Sequence, residues 1–444
     1  MQSFITKYGL AAHLAILAVA PLLLYPFSPE TVAPGVLLWL SAVAAIWAVF
    51  EPARLPGEHL YQARPRVMRE IVRDPVFWLL VVLVVVAAIR WANTGVGMAY
   101  DLETQSWSLS GPWADFLPGC SGDSGRLPFA GAVAALVLLT ACRHALDYWT
   151  AVGVLMVAGF LAGVFGIVLA AFLLSGSPWA VALANGSYVH PVFIGTAFGF
   201  HLIGTLMALG GAARMRCRQF FPVFILAIGG TATGLVLFAP PTVAAVFAAG
   251  AFVAILLTLP CGAWCMLSIV VGLALPAALL YCEPSLVPDW KSTLPGEDVL
   301  SVRAAISDVA MKAWGQKPWF GWGEGSFASV LKFLTTESDW AVIPVKQSGP
   351  MNGWWLLLVE RGIFGALSLA VTVVFLGWTY VVRLVRAPLS ADPMRWCFPL
   401  ALAVCAAAAF FECSYLRVEN LLAVGAMLAI SAEAVKRTES DTDG

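Results

Sequence analysis

Residues 149–174 read WTAVGVLMVAGFLAGVFGIVLAAFLL, a run without one charged side chain. As a helix it would reach about 39 Å, more than the roughly 30 Å hydrocarbon core of a bilayer. Only helices and closed barrels satisfy their backbone in lipid. Barrel strands are written as alternating segments of about ten residues, and this run is continuously apolar, so it predicts a transmembrane helix. The whole chain repeats the theme. Of its 444 residues 60% are hydrophobic and 11% charged, against about 25% charged in a soluble domain. The net charge of −1 offers no basic field, and no nucleic-acid partner is expected.

Similar runs occur at 9–28, 32–50, 75–96, 127–142, 191–212, 219–238, 242–260, 264–281, 363–382, 397–411 and 421–435, giving an expected twelve spans. Residues 9–28 carry no charged leader beyond Lys7 and no small-residue cleavage signal, so they read as a retained span. Placing the N-terminus inside puts fifteen Lys and Arg residues in cytoplasmic segments, among them Arg64, Arg66, Arg69 and Arg73. Only Arg126 and Arg417 fall in short exterior loops. This is the positive-inside pattern with both termini cytoplasmic. The nine cysteines form no disulfide framework. Cys261 and Cys265 share a helix face without a nearby His or carboxylate, so no metal site is expected.

The expected division is 1–281 (nine spans), 282–362 (an exterior loop), 363–435 (three spans) and 436–444 (a cytoplasmic tail). Within the loop Val299, Val302, Ile306, Val309, Ala313 and Trp314 recur at helical spacing, as do Phe327, Val330, Leu331 and Leu334. Two amphipathic helices on the membrane face are expected, broken by Pro318, Gly321, Gly323 and Gly325. An unbroken helix over 351–382 would be about 48 Å long and would carry Glu360 and Arg361 into lipid. A charge at the bilayer centre costs about 2.5–3.5 kcal/mol. A break at Gly362 keeps both at the interface.

The loop also gathers Arg303, Lys312, Lys317, Glu324, Lys332, Lys346, Asn352, Glu360 and Arg361. Cations at headgroup level suit a lipid-diphosphate substrate, because they stabilise charge on a departing pyrophosphate. Trp314, Trp319, Trp322, Trp354 and Trp355 lie among them and are candidates for stacking on a sugar. Arg90, near the exterior end of its span, either snorkels or meets a phosphate.

Arg303 followed by Lys317-Pro318-Trp319-Phe320-Gly321-Trp322-Gly323-Glu324-Gly325-Ser326-Phe327 resembles the loop signature of the O-antigen ligase and polymerase superfamily. Met351-Asn352-Gly353 through Leu357, Glu360, Gly362 and Gly365 resembles that family's second segment. The resemblance implies an all-α, GT-C-like bundle in a bacterial inner membrane and a metal-independent, cofactor-free inverting glycosyltransferase. Such an enzyme passes a glycan from undecaprenyl diphosphate to a lipid or polysaccharide acceptor. It implies that Arg303 holds the diphosphate. Arg361, Lys346, Arg90, Asn352 and Trp322 are the further substrate-binding candidates.

Two positions depart from the pattern. Met351 stands where the family has its candidate base, a His. Ala239-Pro240-Pro241-Thr242 stands where it has a Ser-Arg pair. The base is then His190 or Glu360, or the chain is a catalytically inactive relative that binds lipid-linked glycan. A transporter or flippase is the least favoured reading, because ionisable residues are scarce at mid-span.

Overall fold

A computed structural model of the chain describes residues 12–20, 32–50, 59–93, 97–101, 106–110, 148–184, 191–283, 297–323, 325–336, 352–386 and 393–409, with a few single positions between. Residues 12–20 are helical. The helices that follow are α1 (Val32–Phe50), α2 (Leu60–Arg73), α3 (Pro75–Ala92), α4 (Tyr148–Leu174), α5 (Pro178–Ala184), α6 (Pro191–Arg214), α7 (Phe221–Phe238), α8 (Pro241–Thr258) and α9 (Ala263–Cys282). The last four are α10 (Glu297–Gln316), α11 (Phe327–Leu334), α12 (Gly353–Arg386) and α13 (Cys397–Ala408). Among the described residues five helical segments are long and apolar enough to cross a membrane. They are Tyr148–Leu174, Ile194–Arg214, Arg218–Phe238, Pro241–Cys261 and Ala263–Cys282. The expected spans 127–142 and 421–435 lie almost wholly outside the described residues.

Among the described residues the helical architecture has one exception. Gly97–Asp101 (β1) and Ser106–Ser110 (β2) pair antiparallel, with Gly97 opposite Ser110 and Asp101 opposite Ser106. No strand was expected there. The signal was present: Ser106-Trp107-Ser108-Leu109-Ser110 alternates polar and apolar with a period of two.

The larger core is the bundle α4 and α6–α9, with α13 packed on α8. In lipid, helices associate through close packing of small residues, since apolar surface alone distinguishes nothing. Here Gly159, Gly163 and Gly166 of α4 meet Thr205 of α6 and Ala227 and Gly230 of α7. Buried threonines return their hydroxyls to their own helices: Thr205 to the His201 carbonyl (2.6 Å), Thr231 to Ala227 (2.6 Å) and Thr233 to Gly229 (2.7 Å). His13 bonds the Leu40 carbonyl at 2.9 Å, and His201 is buried in α6 within the same bundle.

The smaller core belongs to the segment between α9 and α12. Ile306, Val309, Ala310 and Ala313 of α10 pack against Phe327, Val330 and Leu331 of α11, with Trp322, Ile343 and Val359 filling the centre. These are the two apolar faces seen in the sequence. They close on each other and on the start of α12, rather than each lying separately on a membrane face.

Candidate functional site

α12 breaks at Gly362, where φ is +64° and ψ −170°. A helix break strands the last carbonyls of one half and the first amides of the next. Residues 318–323 supply partners to two of each. Trp322 N–H donates to the Val359 carbonyl (2.8 Å) and Gly323 N–H to Glu360 (3.0 Å). Ile363 N–H donates to the Pro318 carbonyl (2.8 Å) and Phe364 N–H to Trp319 (3.1 Å). The two segments are therefore locked together by four backbone bonds.

Glycine is required on both sides of this lock. Gly321 has φ +73°, and a Cβ there would press on the Glu360 backbone. A Cβ on Gly362 would press on the carbonyl group of Trp319 and on Gly321 N. Both residues combine a left-handed conformation with backbone-to-backbone approach.

Arg90, at the end of α3, completes the junction. It is buried, and its Nη2 donates to the Phe320 carbonyl (3.5 Å) and the Arg361 carbonyl (3.3 Å). One guanidinium thus ties α3 to both segments. Arg90, expected either to snorkel or to meet a phosphate, holds two backbone carbonyls here.

The other candidates take different places. Trp322 is 2% exposed and its indole N–H donates to the Ala313 carbonyl at 2.8 Å. The ring lies at the centre of the smaller core rather than on an open face. Glu360 is half-buried, and its Oε1 accepts from Phe327 N–H (3.3 Å) in the first turn of α11. Asn352 caps α12, its Oδ1 accepting from Trp354 N–H at 2.9 Å. Arg303 lies half-buried on α10, one turn before Ile306. Arg361 is half-buried beside Gly365. His190, Lys346 and Met351 lie outside the described residues. Of Ala239-Pro240-Pro241-Thr242, the first two residues form the tight link from α7 to α8 and the last two open α8.

An aromatic shelf rims the break. Phe320 stacks on Phe364 (ring centroids 5.1 Å, planes at 8°), and Trp319 leans on Phe364 at 6.1 Å. Trp319 and Phe364 are exposed. Trp319 was a candidate for sugar stacking from the sequence; Phe320 and Phe364 were not. Their spacing of about 45 residues hides a pairing that only the lock creates. Trp354 is also exposed, whereas Trp314 and Trp355 are half-buried against the smaller core.

Fold and site together define a helical membrane protein whose polar segment is locked onto a broken helix. No protein-family model matches the chain, and no curated protein matches it. Among the described residues no group of His, Cys, Asp or Glu is placed to hold a metal ion.

Proposed function

We propose that this chain is an O-antigen ligase-like protein of a bacterial inner membrane that transfers a glycan from undecaprenyl diphosphate to a lipid or polysaccharide acceptor. The observation that carries the reading is the lock itself. The two stretches with a family-like pattern, 317–327 and 351–365, interlock through Gly321 and Gly362 and stand beside the helix bearing Arg303. In this reading the bundle has twelve spans and the lock lies on the exterior face.

The reaction would be an inverting displacement. A base removes the acceptor hydroxyl proton, the oxygen attacks the anomeric carbon, and the carbon–oxygen bond to the diphosphate breaks. Arg303, with Arg361, would neutralise the charge on the departing diphosphate. Trp319 and Phe364 offer open aromatic faces to a sugar. Glu360 already spends one oxygen on the Phe327 amide, which favours His190 as base among the two candidates.

A second reading has its own support. Met351 cannot accept a proton, and with Glu360 engaged the chain would bind lipid-linked glycan without turning it over. One experiment separates the two. Purified protein is given an undecaprenyl-diphosphate oligosaccharide and acceptor, with wild type beside Arg303→Ala, His190→Ala and Glu360→Gln. Glu360→Gln keeps an oxygen acceptor for the Phe327 amide and removes only the base. Transfer lost in Arg303→Ala and His190→Ala but kept in Glu360→Gln supports the transferase with His190 as base. Donor binding without transfer in wild type selects the binding protein. Neither transfer nor binding eliminates both readings.

A further inference from the structure

α2 presents three separate faces. Ala63, Val67 and Ile71, four residues apart, are buried against the protein. Roughly opposite them run Tyr61, Pro65, Met68 and Val72, spaced four, three and four residues, on one side of the helix. All four are exposed, Tyr61 to 71%, Val72 to 50% and Met68 to 42%. A stripe of this kind is not left bare in water without a cover.

Its flanks say what covers it. Arg69 and Arg73 line one side, both exposed, and among the described residues neither has a carboxylate partner. Arg64 lines the other side, its Nε donating to the Phe50 carbonyl at the end of α1 (3.0 Å). Arg66 lies farther round and pairs with Glu70 at 3.0 Å. α2 then turns by 70° into α3, whose sequence is apolar from Pro75 to Ile89. At the elbow Trp78 is half exposed and donates its indole N–H to the Val72 carbonyl at 2.9 Å. Trp favours the boundary between headgroups and acyl chains. A helix turned sharply from an apolar helix lies close to the membrane plane. An exposed apolar stripe edged by arginines is the form that sinks into the acyl boundary while the cations reach lipid phosphates.

We propose that α2 is an in-plane membrane helix that binds anionic phospholipid headgroups through Arg69 and Arg73, with Tyr61, Met68 and Val72 immersed below them. This assignment is independent of the glycan-transfer reading. The full-length protein is placed in phosphatidylcholine nanodiscs with and without phosphatidylglycerol, and backbone hydrogen exchange over residues 60–73 is followed. Exchange slows when phosphatidylglycerol is present. Arg69→Gln/Arg73→Gln abolishes that response and lowers affinity for phosphatidylglycerol about fivefold per arginine. Arg66→Gln, whose cation is already paired, keeps the response. Equal exchange in both discs overturns the proposal, as does an intact response in the double variant or an equal loss in Arg66→Gln. Rapid exchange in both discs would leave the stripe open to a protein partner, and also overturns it.

Discussion

At the residue scale the lock depends on glycines whose neighbours cannot yield. Gly362→Ala places a methyl group against the Trp319 and Gly321 backbone at a positive φ. A strained left-handed residue alone costs about 1–3 kcal/mol, so the unfolding midpoint in detergent is expected to fall clearly. Gly315, near the end of α10, has nothing within 4 Å of its added Cβ. Gly315→Ala should leave that midpoint unchanged or raise it slightly. A Gly362→Ala protein as stable as wild type would refute the lock. Arg90 is the second residue-scale test. Arg90→Met removes the donor to the carbonyls of Phe320 and Arg361. Hydrogen bonds from a charged donor contribute about 1.5–3 kcal/mol. Chemical unfolding should show a loss of at least that order, with or without any substrate. A phosphate contact alone would cost donor binding and leave stability untouched. The clamp was not legible in the sequence, because Arg90 and Phe320 are 230 positions apart and no local pattern links them.

At the element scale the segment between α9 and α12 shows what periodicity can and cannot say. The faces of α10 and α11 were legible from the spacing of Val302, Ile306, Val309 and Ala313 and of Phe327, Val330 and Leu331. Their partner was not, since an apolar face suits a lipid surface and a second helix equally well. Just past α11 the Asp339 carboxylate accepts from the Thr336 hydroxyl (2.7 Å) and the Thr336 N–H (2.9 Å). The hydroxyl bond, then the amide bond, hold its carboxyl below the ordinary aspartate range. A lowered folded value means the stabilisation is fully present above the unfolded value of about 3.9 and is lost as pH falls from there through the folded value. The gap in unfolding midpoint between wild type and Asp339→Ala should therefore be open near neutrality and narrow at the acid end. A gap that stays constant with pH would show that the charge contributes nothing.

At the scale of the whole molecule two cores are built on different terms. The smaller closes by burying Trp322, Phe327 and Leu331. The larger closes by letting backbones approach, with Gly163 of α4 seated on α7. A Cβ on Gly163 would stand 2.8 Å from the Ala227 Cα and the Leu226 carbonyl oxygen. Overpacking of this kind costs about 1–3 kcal/mol, so Gly163→Ala should unfold at lower denaturant. Gly153→Ala, on the same helix with open space at its Cβ, should lie within about 0.5 kcal/mol of wild type. Similar losses in both variants would remove the close α4–α7 seam as an account of the bundle.

By itself the sequence determined the helical membrane class, the positions of α1, α3, α4 and α6–α9, the two apolar faces of the polar segment, and the break at Gly362. Each follows from composition, helical period or the cost of a charge in lipid, which are local properties. Only the tertiary structure decided that Trp322 is core, that Glu360 serves the first turn of α11, that Arg90 clamps backbone, and that Phe320 meets Phe364. These roles depend on which distant carbonyl or ring a side chain meets, and that is settled when the chain closes on itself.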